Sequence, residues 1–302
     1  MRILVTGREG QVALSLAERA PRRGIELSTL GRPEIDLAGP SDAIVAAIEA
    51  ARPDAIISAA AYTQVDKAES ESAMAFAVNE SGARAVARAA AKLGVPLVHL
   101  STDYVFDGSK REPYVEDDVT APAGVYGASK LAGEKAVLAE HENSSVLRTA
   151  WVYSPFGANF VKTMLRLAET RDEVSVVADQ RGNPTCALDI ADAALFLAIN
   201  LVERNEPELR GVFHMTASGE ASWADFAQAI FEASAAAGGP SAHVNRISTA
   251  DFPTAAKRPA NSRLDCCRLE EVYGLRLPDW RESLKIVVER LVRFGAPGAA
   301  NQ

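Results

Sequence analysis

The chain has few of the residues that build disulfide frameworks and metal sites. It contains three cysteines, two of them adjacent, and four scattered histidines among 302 residues. An odd number of cysteines gives no disulfide framework, and no ligand spacing indicates zinc. The sequence therefore predicts free thiols at Cys186, Cys266 and Cys267, assigns no chemistry to the histidines, and predicts no bound metal.

The chain also lacks an excess of positive charge and long apolar runs. Its formal net charge is −8, so no basic surface is expected for neutralising nucleic-acid phosphates. The apolar runs are too short to span a bilayer, and no signal-peptide core is present. We therefore expect a cytoplasmic protein without a nucleic-acid or membrane partner. The negative net charge still allows one anionic small molecule to bind in a local positive pocket.

The first half of the sequence alternates short apolar segments with segments of helical periodicity. The alternation predicts a doubly wound parallel sheet, the Rossmann α/β fold. The second half mixes types and predicts a smaller mixed α/β lobe. We expect an NAD(P)-binding domain over residues 1–150. Residues 151–302 are expected to be mainly a substrate-binding lobe, with segments that return to the first domain.

Three local predictions are specific enough to test against a structure. Residues 71–93 are predicted to form one long helix. Residues 222–236 are predicted to form a helix opened by a capping motif at Ser222. Residues 241–260 are expected to be irregular, and residues 296–302 to form a frayed tail.

A glycine-rich turn joins the first predicted strand to the first predicted helix. Gly7 and Gly10, with the small Ala13 at the third position, let the backbone approach a pyrophosphate resting on the helix N-terminus. This setting predicts a dinucleotide site. Its expected contacts lie in the turn, beside the adenine and after the third strand: Gly7, Gly10, Gln11, Val12, Asp36, Leu37, Ala59, Ala60, Ala61, Tyr62 and Thr63.

The end of the second predicted strand selects between the two nicotinamide cofactors. A carboxylate at this point would bind the ribose hydroxyls of NAD. The chain instead has Arg32, whose guanidinium suits a 2′-phosphate. We therefore predict NADPH as the preferred cofactor, with NADH as a second candidate. The alternative is that Arg32 is simply a surface arginine.

Three residues in the first half form a candidate catalytic group. Tyr126 and Lys130 are four residues apart and share one face of a predicted helix. An ammonium beside a phenol favours the phenolate, so Lys130 is expected to lower the pKa of Tyr126 and also to bind the cofactor ribose. Thr102, at the end of a predicted strand, is expected to bond the reacting oxygen. A solvated helix face is the alternative for the tyrosine and lysine alone.

Several longer motifs accompany these residues. They are Ser101-Thr-Asp-Tyr-Val-Phe106, Arg148-Thr-Ala-Trp-Val-Tyr153 and Asp179-Gln-Arg-Gly-Asn-Pro-Thr185. With them the chain resembles the extended short-chain dehydrogenase/reductases and, more narrowly, the dTDP-4-dehydrorhamnose reductase family, over nearly its whole length. The resemblance implies NAD(P)H-dependent reduction of the C4 ketone of dTDP-4-dehydro-L-rhamnose, the final step of dTDP-L-rhamnose biosynthesis.

The resemblance also implies a set of substrate contacts. Thr102, Asp103 and Tyr126 would contact the sugar. Trp151 would pack against the sugar or its methyl group, with core packing as the alternative. The thymidine and diphosphate would be bound by three residues that could also be purely structural: Gln180, Asn183 and Arg258.

The chain departs from its relatives at one implied metal site. Some bacterial members bind Mg²⁺ at a dimer interface through glutamates, and this chain has Ser15 and Leu188 at those positions, with Asp189 one residue away. We therefore expect a metal-independent enzyme that is a monomer or a weak homodimer.

Two other functions stay open from the sequence. The first is reduction of another dTDP- or UDP-activated keto-sugar, since only the second half would discriminate the sugar. The second is a non-catalytic regulatory subunit, against which the intact Thr102, Tyr126 and Lys130 argue.

Overall fold

The structure is a computed structural model that describes residues 1–294. Its strands are β1 (Arg2–Thr6), β2 (Glu26–Leu30), β3 (Ala55–Ser58), β4 (Leu97–Thr102), β5 (Ser144–Thr149), β6 (Val152–Tyr153), β7 (Glu173–Val177), β8 (Arg181–Gly182), β9 (Thr185–Cys186), β10 (Gly211–His214), β11 (Ala221–Ser222) and β12 (His243–Ile247). Its helices are α1 (Gln11–Arg19), α2 (Ser41–Ala51), α3 (Val65–Ala68), α4 (Ser72–Phe76), α5 (Ala83–Leu93), α6 (Val125–Glu140), α7 (Phe160–Ala168), α8 (Ala187–Glu203), α9 (Trp223–Ala236), α10 (Cys267–Tyr273) and α11 (Trp280–Phe294).

Six strands form a parallel sheet in the order β2-β1-β3-β4-β5-β10. Strands β3, β4 and β5 are buried along their whole length, as expected for strands covered by helices on both faces. The strand order reverses between β1 and β3. In doubly wound folds the ligand crevice opens at this point, outside the carboxyl ends of the strands. The predicted Rossmann fold class is confirmed.

Apolar clusters cover both faces of this sheet and fill a separate lobe. One face is covered by α1, α8 and α10, through residues such as Leu16, Ile190 and Leu269. The other face is covered by α2 and α5. A third cluster, around Phe226 and Trp280, joins α7, α9 and α11 to β7 and β12. Parts of the second half of the chain therefore pack on the first-half sheet. The boundary at residue 150 stays a prediction.

The long helix predicted over residues 71–93 is interrupted. A π-helical segment, Ala77–Gly82, separates α4 from α5. Within it Asn79 is buried, and its side chain accepts from the Tyr62 backbone N–H at 2.8 Å and donates to the Tyr62 carbonyl at 3.1 Å. The wider turn lets this amide hold the loop that follows β3, a use of π-turns at functional sites that periodicity does not reveal.

The local predictions for the second half of the chain are partly confirmed and partly wrong. The capping motif at Ser222 is confirmed: its hydroxyl accepts from the Asp225 N–H, and the Asp225 carboxylate accepts from the Ser222 N–H. The prediction that residues 241–260 are irregular is wrong for β12, which pairs in parallel with β7. Pairing with a strand about 70 residues away is a tertiary contact that local sequence does not encode. The tail predicted over residues 296–302 lies outside the described residues.

Within residues 1–294, no helix combines the length and apolar character needed to cross a membrane.

Candidate active site

The turn between β1 and α1 has the geometry of a dinucleotide cradle. Gly7 has φ +96°, and a Cβ there would lie 3.3 Å from the Cβ of Ala60. Both the backbone conformation and the close approach therefore require glycine. Helix α1 begins after Gly10 without a side-chain cap, which leaves its first N–H groups available to a phosphate, as the motif predicts.

A groove of about 530 Å³ opens beside this turn. Buried Leu37 and exposed Met74 give its lining apolar surface suited to an adenine ring. The groove brings together most of the predicted cofactor residues: Gly7, Arg32, Asp36, Leu37, Ala60, Ala61, Tyr62 and Thr63. The residues present therefore fit a nicotinamide dinucleotide.

Two arginines, only one of them predicted from the sequence, lie at the β2 end of this groove. Arg32 is exposed and lines it. Arg8 lines it as well, its Nη1 lies 2.7 Å from the Glu34 carboxylate, and its Cγ would lie 3.3 Å from a Cβ at Gly31. Arg8 lies between the two glycines of the turn, and this position in the sequence could have identified it as a cofactor contact.

Two glycines let helix α6 approach the segment that follows β4 and the π-helical segment closely. A Cβ at Gly127 would lie 2.1 Å from the Tyr104 carbonyl oxygen, and one at Gly133 would lie 2.0 Å from the Asn79 carbonyl oxygen. The approach brings Tyr126 beside the segment that follows Thr102, and its ring meets the Tyr104 ring edge-on at 5.6 Å. The candidate catalytic residues are therefore adjacent in the structure.

Lys130 is buried beneath this site. Its Nζ donates to the Leu100 carbonyl at 2.6 Å. Burial lowers the pKa of Lys130 to about 8, against the opposing effect of the Glu134 carboxylate. The group therefore keeps its charge at neutral pH.

The pKa of Tyr126 lies opposite to the sequence expectation. Burial raises it to about 12, the Thr102 hydroxyl opposes this shift, and the Asp103 charge adds to it. The predicted net lowering of the Tyr126 pKa by Lys130 is not seen, because the effect of burial dominates. A phenol with this pKa is protonated at neutral pH, which is the form that donates a proton to a ketone.

Thr102 and Asp103 form one polar unit at the end of β4. The Thr102 hydroxyl donates to Asp103 Oδ1 at 3.0 Å and accepts from the Tyr104 N–H at 3.3 Å. Burial raises the pKa of Asp103 to about 6. Its Oδ2 is buried and has no partner among residues 1–294, so a ligand hydroxyl would satisfy it.

Trp151 has a strained backbone and a fixed ring. Its φ is +46°, unusual for a residue with a side chain. The indole stacks on Trp223 with a centroid distance of 3.6 Å, and a Cβ at Gly182 would lie 2.4 Å from its Cε2. One face of the ring is therefore covered by protein, and its role as a sugar contact stays a prediction.

The three predicted nucleotide contacts differ in their surroundings. Gln180 is buried and donates to the Thr249 hydroxyl at 3.0 Å. Asn183 donates to the Gly219 carbonyl at 2.7 Å and accepts from the Leu264 N–H at 2.9 Å, bonds that support the structural alternative. Arg258 donates to Asp66 at 2.6 Å. Its Nη1 is buried without a partner in the described part of the chain, so this edge suits an anion.

Gln11, predicted as a cofactor contact, joins the turn to the second half of the chain. Its Oε1 accepts from the Ser154 hydroxyl at 2.9 Å and from Asn159 Nδ2 at 3.0 Å. Its Nε2 donates to the Val152 carbonyl at 3.4 Å. The Gln11 side chain is therefore engaged by the second half of the chain, a contact that the motif does not specify.

The residues at the implied magnesium position are engaged internally. Ser15 donates to the Gln11 carbonyl at 2.7 Å, Leu188 is buried in the third cluster, and Asp189 accepts from the Ser283 hydroxyl at 2.5 Å. Within residues 1–294 no three or more His, Cys, Asp or Glu residues are grouped to hold a metal ion. Metal independence stays a prediction.

Comparison with known proteins decides the family. The family model described as the RmlD substrate binding domain matches residues 1–293. The chain belongs to this family. Its relatives include a dTDP-4-dehydrorhamnose reductase of Sinorhizobium fredii, 54% identical over 98% of this chain and 99% of that protein. The Escherichia coli K12 protein of the same name is 41% identical over 96% of this chain and 98% of its own length.

Solved structures of the RmlD family share the fold. The dTDP-4-dehydrorhamnose reductase of Clostridium acetobutylicum superposes with a TM-score of 0.89 at 36% identity, over 96% of this chain and 99% of that one. The Bacillus anthracis enzyme, solved in complex with NADP, gives a TM-score of 0.87 at 36% identity, over 95% and 98% of the two chains.

Proposed function

We propose that the protein reduces the C4 ketone of dTDP-4-dehydro-L-rhamnose to dTDP-L-rhamnose, with NADPH preferred and NADH as a second cofactor. The observation that carries the proposal is that the residues on either side of Thr102 contact the other two: the Tyr126 ring meets Tyr104, and Lys130 Nζ donates to the Leu100 carbonyl. The groove beside the glycine turn, at the β1–β3 switch point, supports a dinucleotide cofactor. Membership of the RmlD family, with relatives named for this reaction, supports the substrate.

Each residue has a role in the proposed reaction. When bound, NADPH supplies a hydride to the carbonyl carbon. Tyr126 donates its phenolic proton to the carbonyl oxygen, and its raised pKa keeps that proton in place until then. Thr102 bonds the same oxygen, with its hydroxyl held by Asp103. The charged Lys130 stabilises the phenolate that forms and binds the ribose.

The remaining residues are proposed to contact the sugar and the nucleotide of the substrate. Trp151 and Asp103 would contact the sugar, where the apolar ring face suits the methyl group of a 6-deoxyhexose. Gln180, Asn183 and Arg258 would contact the nucleotide, and the unpartnered Nη1 of Arg258 supports a diphosphate contact. We also propose a cytoplasmic location, a monomeric or weakly dimeric state and no metal requirement.

A turnover assay tests the proposal. Purified protein is mixed with NADPH and enzymatically generated dTDP-4-dehydro-L-rhamnose, and the nicotinamide absorbance is followed while the product is identified. Loss of absorbance with formation of dTDP-L-rhamnose is the expected result. NADPH binding without turnover would favour another nucleotide-activated ketone, which the same assay can compare, or a regulatory role.

The two groove arginines are expected to select NADPH. Arg32→Ala and Arg8→Ala should each raise KM for NADPH by about tenfold or more, because a hydrogen bond to a charged group contributes about 1.5–3 kcal/mol. KM for NADH should stay within about twofold, since NADH lacks the 2′-phosphate. Arg276→Ala, at an exposed position outside the groove, is the control. A wild-type kcat/KM much larger with NADH than with NADPH would contradict the assignment.

Gly182→Ala is expected to weaken sugar binding through Trp151. The added Cβ would lie 2.4 Å from the indole and force it to move. We expect kcat/KM for the nucleotide sugar to fall by about tenfold or more, because a displacement of this size misaligns the substrate. KM for NADPH serves as the internal control and should not change. A variant with wild-type kinetics for the sugar would show that Trp151 does not contact it.

A further inference from the structure

A buried ion pair lies behind the proposed catalytic residues, and no step of the reaction uses it. Glu134 on α6 and Arg148 on β5 have side chains only 3% and 5% exposed. Arg148 Nη2 donates to Glu134 Oε2 at 2.8 Å, and its Nε donates to Oε1 at 3.0 Å. The guanidinium also lies over the Phe106 ring, 5.2 Å from its centroid. The pair is therefore rigidly held.

The same carboxylate also binds the neighbouring strand. The Ser101 hydroxyl donates to Glu134 Oε1, so one side chain of α6 bonds both β4 and β5. Ser101 and Arg148 face each other in the register of these strands. All three residues therefore meet at one point beneath the site.

This point is adjacent to each candidate catalytic residue. Ser101 directly precedes Thr102 on β4. Glu134 follows Lys130 by one helical turn and Tyr126 by two, on the same face of α6. A shift of the carboxylate would therefore move the helix that carries Tyr126 and Lys130 relative to the strand that carries Thr102.

Stability alone gives little reason for such a pair. The desolvation of two buried charges offsets most of their attraction, and apolar residues of similar volume often stabilise a fold as well or better. Directional bonds, in contrast, fix distances that apolar packing leaves adjustable. The arrangement is therefore better suited to alignment than to holding the fold together.

We propose that Glu134 is a positioning residue, which with Arg148 and Ser101 sets the alignment of Tyr126 and Lys130 on α6 with Thr102 on β4. The proposal rests on the reductase function proposed above. Misplacement of a reacting group by about 1 Å can reduce a rate by roughly a hundredfold, so the effect is measurable as kcat.

The double variant Glu134→Leu/Arg148→Met separates alignment from stability. It removes both charges together and leaves neither buried without a partner. The assays are run well below the pKa of Lys130, because the Glu134 carboxylate helps to keep that pKa near 8 and its loss must not discharge the lysine. Under these conditions we expect a Tm within about 4 °C of wild type, a kcat lowered by about 10–100-fold, and a KM for NADPH within about twofold of wild type. A double variant whose Tm and kcat both equal the wild-type values would overturn the proposal, because turnover would then not depend on the pair.

A milder variant decides the question even if the double variant does not fold. Ser101→Ala removes one hydrogen bond to Glu134 and leaves the ion pair in place. Its kcat should fall by about threefold or more, which corresponds to the loss of roughly one hydrogen bond. Its Tm should change little. Unchanged kcat in Ser101→Ala would also overturn the proposal.

A second ion pair of the chain provides the matched control. Arg290 binds both oxygens of Glu18 at 2.8 and 3.0 Å, joining α1 to α11 at a distance from the catalytic residues. The Glu18→Gln/Arg290→Gln variant should keep kcat within about twofold of wild type. The wild-type protein is measured in the same assay. Absence of turnover in the wild type would refute the reductase function itself, whereas the variants test only the role of Glu134.

Discussion

Replacing Tyr126 with phenylalanine is expected to lower kcat by about 10²–10⁴-fold, the usual contribution of a positioned general acid. The change removes only the phenolic oxygen, and the ring keeps its edge-on contact with Tyr104. Cofactor affinity should therefore remain at the wild-type value. Steady-state turnover and the fluorescence of bound NADPH measure the two quantities on the same preparation.

Tyr114→Phe is the matched control for this variant. Tyr114 is also buried, its hydroxyl donates to Asp107 at 3.0 Å, and its ring stacks on Phe106, a contact that phenylalanine would keep. We expect its kcat to be unchanged. Equal kcat in the Tyr126→Phe variant and the wild type would remove Tyr126 as the proton donor.

Lys130→Met is expected to lower kcat by about 10²-fold or more and, unlike Tyr126→Phe, to raise KM for NADPH. The variant removes the cation that stabilises the phenolate, together with the expected ribose contact. Methionine retains the length of the buried stem and fills the same apolar space. A variant with lowered kcat but unchanged KM for NADPH would separate the two roles and exclude the ribose contact.

The charge of Lys130 also predicts a pH profile. Because burial lowers its pKa to about 8, the ammonium is present below that pH and is lost as the pH rises through it. We expect kcat/KM, which reports ionisations of the free enzyme, to fall on the basic side near pH 8. In Lys130→Arg this decline should move to higher pH, because a guanidinium stays charged. An unchanged position of the decline in that variant would assign it to another group.

Much of the fold follows from local sequence. Strands β1, β3 and β7 and helix α11 are each a compact apolar segment or a strongly periodic one with clear ends, which local sequence is enough to specify. The switch-point crevice follows from strand alternation and the glycine turn together. Partners distant in sequence were not predictable: β12 forms only because β7 is beside it.

The candidate site also combines features that local sequence predicts with features that depend on tertiary contacts. The motifs identify Thr102, Tyr126 and Lys130, since spacing on one strand and one helix places them together. They do not reveal that Arg8 lies beside Arg32 in the groove, or that the Gln11 side chain bonds Ser154 and Asn159. Such contacts depend on side-chain directions fixed by tertiary packing. For the same reason the raised pKa of Tyr126 required knowledge of its burial.

Following the transferred hydrogen tests the proposed hydride transfer from NADPH to the sugar ketone most directly. NADPH that carries deuterium at both hydrogen positions of the nicotinamide C4 is incubated with dTDP-4-dehydro-L-rhamnose and the protein, and the product is analysed by NMR and mass spectrometry. Hydride transfer to the ketone predicts one deuterium at C4 of the sugar in dTDP-L-rhamnose for each NADPH oxidised. A product without deuterium at that carbon, or oxidation of NADPH without a reduced sugar, would contradict it.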